Sequence, residues 1–126
     1  MDQPYQYLTA DSAALSTSYT TLALGNIPRS NHVGGLLLTI EGASTTGQSV
    51  TAYLSTDAAG DEGVSSVVTK ALDYGLTTAT DAWAVLDFDR PAIVGDGAPQ
   101  VWAHVKLSTG TATGCVPTLV VRDVGR

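Results

Sequence analysis

The side chains able to do chemistry are few and poorly grouped. His32 and His104 are the two imidazoles and Cys115 the single thiol. A serine or threonine nucleophile needs a base and an orienting group within hydrogen-bond reach. No GxSxG elbow occurs, and His32 in a loop and His104 on a strand carry no catalytic spacing. Cys115 lies between "GTATG" and "VPTLV", at the start of a strand, where cysteine behaves as a small hydrophobe. Asp87 and Asp89 of "DFD" project from one side of a strand and could share acid and base work if one were buried. Arg90 and Pro91 follow at once, so the segment reads as a strand ending in solvated charge. In "STDAAGDEGV", Asp57, Asp61 and Glu62 could offer carboxylate oxygens to calcium, without the alternating ligands of an EF-hand loop. Zinc spacing is absent. The glycine runs "GDG" and "GTATG" precede no helix that could hold a phosphate, so they are turns. The inventory predicts a protein that is not an enzyme and has no cofactor apart from a possible calcium ion.

One constellation remains, "QVWAHVKL" at 100–107. With a period of two, Val101, Ala103, Val105 and Leu107 face a core, and Trp102, His104 and Lys106 face away from it. An outward indole beside polar groups suits stacking on a sugar ring or contact with another protein, unless the chain's own N-terminal arm or a second layer covers it.

The elements positioning these residues are short. Apolar alternation marks strands near 18–24, 34–41, 49–55, 64–71, 82–88, 100–107 and 116–122, with a further one at 4–9, separated by Gly, Pro, Asn, Asp and Ser turns. The only helix candidate, 10–16, is about two turns long. Seventeen threonines against two glutamates favour a pleated surface over a helical one. The pattern predicts an all-β antiparallel β-sandwich, jelly-roll-like, with seven or eight strands. Its inward phase is expected to bury Leu22, Leu24, Leu36, Leu38, Ile40, Val50, Ala52, Leu54, Val85 or Leu86, Phe88, Val101, Val105, Leu107, Val116, Leu119 and Val121. Trp83 joins Trp102 as a second indole expected to be exposed. Residues 1–15 read as an N-terminal arm and 16–126 as one domain.

Composition narrows the partners. Lysine and arginine total six against twelve acids, a net charge of −6, and the basic residues are scattered. No basic stripe is available to displace counterions from a nucleic acid. The start, "MDQPYQYLTADSAAL", has neither the basic nor the apolar segment of a signal peptide, and no apolar run is long enough for a transmembrane helix. A single cysteine leaves no internal disulfide to form, consistent with folding in a cytoplasm.

The stretch "VTAYLSTDAAGDEGV", followed by "WAVLDFDRPAIVGDGAPQVWAHVKLSTG", resembles the small β-sandwich structural proteins of tailed bacteriophages, the decoration or cement proteins of capsids and related head-fibre domains. The likeness covers roughly residues 49–110. It implies a virion protein, folded in the host cytoplasm, that binds the major capsid protein of the mature shell and stabilises it, commonly as a homotrimer. It places Trp102, His104 and Lys106, with Tyr5 and Tyr7 of the arm, at an interface. The alternative is a carbohydrate- or receptor-binding domain of a phage fibre or tail.

Overall fold

The computed structural model describes residues 5–26, 31–63, 65–74, 81–88 and 100–123. Among these there is no helix, and hence none long and apolar enough to cross a membrane. The strands are β1 (Tyr5–Thr9), β2 (Thr20–Asn26), β3 (Asn31–Glu41), β4 (Ser49–Ser55), β5 (Val68–Ala71), β6 (Asp73–Tyr74), β7 (Ala82–Leu86), β8 (Gln100–Leu107) and β9 (Gly114–Asp123). They form two antiparallel sheets, ordered β1-β9-β3-β7-β6 and β2-β8-β4-β5. The expected β-sandwich is therefore observed, with nine strands among the described residues where seven or eight were expected, the short β6 being the addition, and with His32 inside β3 where a loop was expected.

The pairings show how the chain reaches that order. Strand β1 pairs with β9, β2 with β8, β3 with β7 and β4 with β5, all antiparallel. The chain is thus a long double ribbon, nested around the β4–β5 connection. Rolling that ribbon makes the lateral pairs β3–β9 and β4–β8 and distributes the strands between two sheets, which is the jelly-roll arrangement. Lys70 of the edge strand β5 donates from Nζ to the Val85 carbonyl of β7 at 2.9 Å, tying the two sheets along one side.

The interior follows from alternation. Leu22 and Leu24 of β2, Val50, Ala52 and Leu54 of β4, and Val101, Ala103, Val105 and Leu107 of β8 face Leu36, Leu38 and Ile40 of β3, Ala82, Ala84 and Leu86 of β7, and Leu119 and Val121 of β9. Large residues stand beside small ones, Leu38 opposite Ala84 and Ile40 opposite Ala82, which lets the layers interdigitate. Two expectations need correction. Val116 faces outward, because Cys115 next to it takes the inward phase of β9. At the ambiguous "WAVLDF", Leu86 is buried, Val85 exposed and Phe88 only half-buried against the core.

Pro117 lies in β9 although that strand is flanked on both sides. The Cys115 carbonyl accepts from the Ala13 amide, so Cys115 and, two residues on, Pro117 turn their backbone polar groups toward the N-terminal segment. Pairing of β1 with β9 ends at Thr9 opposite Thr118, so the missing N–H of Pro117 costs the ladder nothing. Of the expected arm, Tyr5–Thr9 is placed as a sheet strand, and Leu15 bridges Ala112 in place of a helix at 10–16.

Candidate functional site

The outer face of the four-stranded sheet carries the constellation singled out in β8. Register sets Thr21 of β2 and Tyr53 of β4 on either side of His104, Ala23 and Ser55 on either side of Trp102, and Thr51 beside Lys106. Trp102 and Lys106 are half-buried, whereas His104 retains 2% of its surface. The cover is the chain's own loop. Residues 56–63 fold back over the sheet, closed by Thr56 N–H donating to the Glu62 carbonyl at 3.1 Å and by Tyr53 O–H donating to the Gly60 carbonyl at 3.1 Å. Gly60, at φ +82°, passes so close that a Cβ there would collide with the Tyr53 hydroxyl and press on His104 Cε1 at 3.2 Å.

Both ring nitrogens of His104 are engaged, Nε2 with Ser55 Oγ at 2.6 Å and Nδ1 with Thr21 Oγ1 at 3.2 Å. The ring stacks on Tyr53 with centroids 4.8 Å apart, Tyr53 meets Tyr19 edge-on at 5.3 Å, and Lys106 Nζ lies 4.7 Å over the Tyr19 ring. Burial pushes the His104 pKa below its ordinary value, only partly offset by the main chain and carboxylate of Asp57. Burial likewise raises Tyr53.

A serine 2.6 Å from an imidazole invites a catalytic reading, and the donor count argues against it. The one Ser55 proton is given to the Asp57 carbonyl at 2.6 Å, so Ser55 Oγ accepts from His104 Nε2–H. Nδ1 is then the acceptor of the Thr21 hydroxyl. Activation as a nucleophile requires the opposite direction, serine donating to the base. Ser55 has no exposed surface for a substrate to reach. These side chains latch the 56–63 loop onto the sheet.

The acidic loop spends its carboxylate in the same way. Asp57 accepts from the backbone N–H of Glu62 at 2.8 Å and of Asp61 at 3.2 Å, and the first of these bonds leads in holding its pKa below the usual carboxylate value. Among the described residues no three His, Cys, Asp or Glu side chains gather as metal ligands. Asp57, Asp61 and Glu62 therefore share a loop without their side chains gathering in one place. Cys115, fully buried, has its thiol pushed up to about 12. Asp89 and Arg90 lie outside the described residues, as do the side chains of His32 and Tyr5.

The other sheet is different. Tyr7, at 67% exposure, Leu37, Trp83, Val85 and Val116 all show their side chains on the outer face of the five-stranded sheet. Register makes them neighbours: Tyr7 opposite Val120, Leu37 opposite Val85 and Thr118, and Thr39 between Trp83 and Val116. Trp83 and Tyr7 were legible as exposed aromatics. Leu37 and Val120 follow from the inward phase given to Leu36, Leu38, Leu119 and Val121, whereas Val85 was left open, "WAVL" being apolar in both phases as strands covered on both faces are, and Val116 was expected inside.

No protein-family model and no curated protein matches the sequence. Solved structures do share the fold. A chain of the capsid asymmetric unit of cyanophage Pam1 aligns over 94% of this chain and 84% of its own length, with 17% identity and a TM-score of 0.50. The catalytic domain of a GH87 alpha-1,3-glucanase aligns over 97% of this chain and 28% of its own, with 10% identity and a TM-score of 0.52. Latent PorU from Porphyromonas gingivalis aligns over 98% and 13%, with 9% identity and a TM-score of 0.52. At these identities the likeness is one of fold.

Proposed function

We propose that the chain is a virion structural protein without enzymatic activity, a capsid decoration protein that binds the mature shell of a tailed phage and stabilises it. The observation that carries this reading is the nearly end-to-end match with the cyanophage capsid chain, 94% of one against 84% of the other. The glucanase and PorU matches occupy only 28% and 13% of those chains, as parts of larger proteins. The site chemistry supports the same choice, because Ser55, His104 and Asp57 are committed to holding a loop.

In this role the mechanism is one of differential binding. A protein that buries surface on the expanded shell and not on its precursor shifts the equilibrium toward the expanded form by the difference in the two binding free energies. A homotrimer on threefold positions, with the major capsid protein as partner, is the assembly this reading carries. The test is mass spectrometry of density-gradient-purified particles of the encoding virus. The chain should be present at a fixed ratio to the major capsid protein. Its absence from particles, with recovery in the soluble cell fraction, would overturn the reading.

One observation favours the carbohydrate-binding alternative: the exposed Trp83 indole stands directly across from Asp73, an apolar plate beside a hydrogen-bonding acid. Saturable glycan binding that disappears in Trp83→Ala, by a chain missing from particles, would select it.

A further inference from the structure

The strands of the five-stranded sheet are apolar on the side where a monomer facing water would place polar residues. In rows across β1, β9, β3 and β7, the outer face reads Tyr7, Val120, Gly35; then Thr9, Thr118, Leu37, Val85; then Val116, Thr39, Trp83. No charged side chain interrupts these central positions. At about 4.8 Å between strands and 3.4 Å per residue, the patch measures on the order of 300 Å². That is about the size of the largest apolar patch on an ordinary monomer, which is often functional.

Among the described side chains the rim is acidic, and Arg122 stands at the β9 register position beyond Val121, between Tyr5 and His32. Asp73 stands across from Trp83 in β6, Glu41 closes β3 two residues beyond Thr39, Asp81 precedes β7, and Asp87 continues the outward phase of Val85, its Oδ1 3.3 Å from where a Cβ of Gly35 would lie. All four acids are exposed. A second copy of this chain would bring another acidic rim, on a molecule of net charge −6, against this one. A surface with an apolar centre and basic edges would complement it.

We propose that this outer face docks on a protein surface with an apolar centre and a rim of lysine or arginine. The proposal rests on the decoration reading above, under which that surface belongs to the capsid shell. It moves the contact from the Trp102 side, where the 56–63 loop covers His104 and Ser55, to the opposite sheet.

The test measures co-sedimentation of the full chain with purified shells lacking it, for the wild type, Val85→Glu, the rim double variant Asp73→Lys with Asp87→Lys, and Ala23→Glu on the opposite sheet. Val85 and both aspartates are exposed, so the variants should keep the wild-type circular dichroism and melting temperature. The expected result is binding of the wild type that weakens with added salt, roughly tenfold or greater loss in Val85→Glu and in the rim variant, and wild-type binding in Ala23→Glu. Salt dependence needs no variant and reads the basic rim independently. If the wild type binds and the Val85 and rim variants bind equally well, the docking face is wrong and the decoration reading stands. If the wild type ignores the shells, that reading fails and the proposal with it. Sedimentation velocity of the chain alone supplies the remaining outcome: an oligomer that Val85→Glu dissociates would assign the face to a second copy and overturn the basic partner.

Discussion

Protonating His104 would charge a ring that burial holds neutral. As a neutral ring it donates from Nε2 to Ser55 and accepts at Nδ1 from Thr21, and with a second ring proton the Thr21 hydroxyl would have to turn and accept, its own proton left to the Ala58 carbonyl at 3.5 Å. With its folded pKa held below the ordinary 6.5, the unfolded chain binds the extra proton first as pH falls. The stability His104 contributes is therefore complete above pH 6.5 and is lost as pH drops below it toward the folded value. Urea denaturation between about pH 8 and pH 5 should show a declining midpoint that His104→Leu flattens. Ser55→Ala strands the buried His104 Nε2–H, while the Asp57 carbonyl keeps its bond from the Gly60 amide at 3.2 Å, at a cost of about 1–3 kcal/mol in the same assay. Two glycines separate strain from collision. Gly25 at φ +106° has open space where a Cβ would go, so Gly25→Ala should cost about 1 kcal/mol of backbone strain. Gly60→Ala adds the clash with Tyr53 and should cost clearly more, with a change in near-ultraviolet dichroism as the stacked rings shift.

The element scale separates what periodicity could say from what it could not. The alternation in "QVWAHVKL" and "SVTAYLS" was sufficient to assign core faces, because each strand's inward phase is uniformly apolar. It could not reveal that Ser55 and His104 meet, since that depends on β4 pairing with β8 across a separation of 49 residues. Nor could it show that the loop following β4 turns back over the sheet, which makes His104 part of a latch and leaves Trp102 and Lys106 half-exposed beside it. The run apolar in both phases in β7 obscured which residue faced out, whereas Leu36, Leu38 and Ile40 of β3 were assigned inward and are buried; Val116 was misplaced because the neighbouring cysteine takes the inward phase. The N-terminal segment, polar and aromatic to the eye, supplies an edge strand whose Leu8 packs against the core. Deleting residues 1–9 should therefore lower stability by on the order of 2 kcal/mol, the sum of a few cross-strand pairs, where removal of a free arm would leave the urea midpoint unchanged.

At the scale of the whole molecule, the two outer faces have opposite characters. On one, the chain's own loop covers His104 and Ser55 and ties the polar side chains beneath it in internal bonds. The other is apolar, open and edged by acids. Rolling a single ribbon into a jelly roll leaves both sheets with an outer surface, and this sequence places apolar side chains on one of them. The acidic net charge of −6 keeps such a molecule soluble and favours a basic partner over itself. The most direct measurement is a cryo-electron-microscopy difference map between shells with and without the bound chain. The account predicts added density on the shell exterior into which the sandwich fits with β1, β9, β3 and β7 facing the shell and the 56–63 loop facing solvent. Shells that carry no added density after saturation with the folded chain would contradict it.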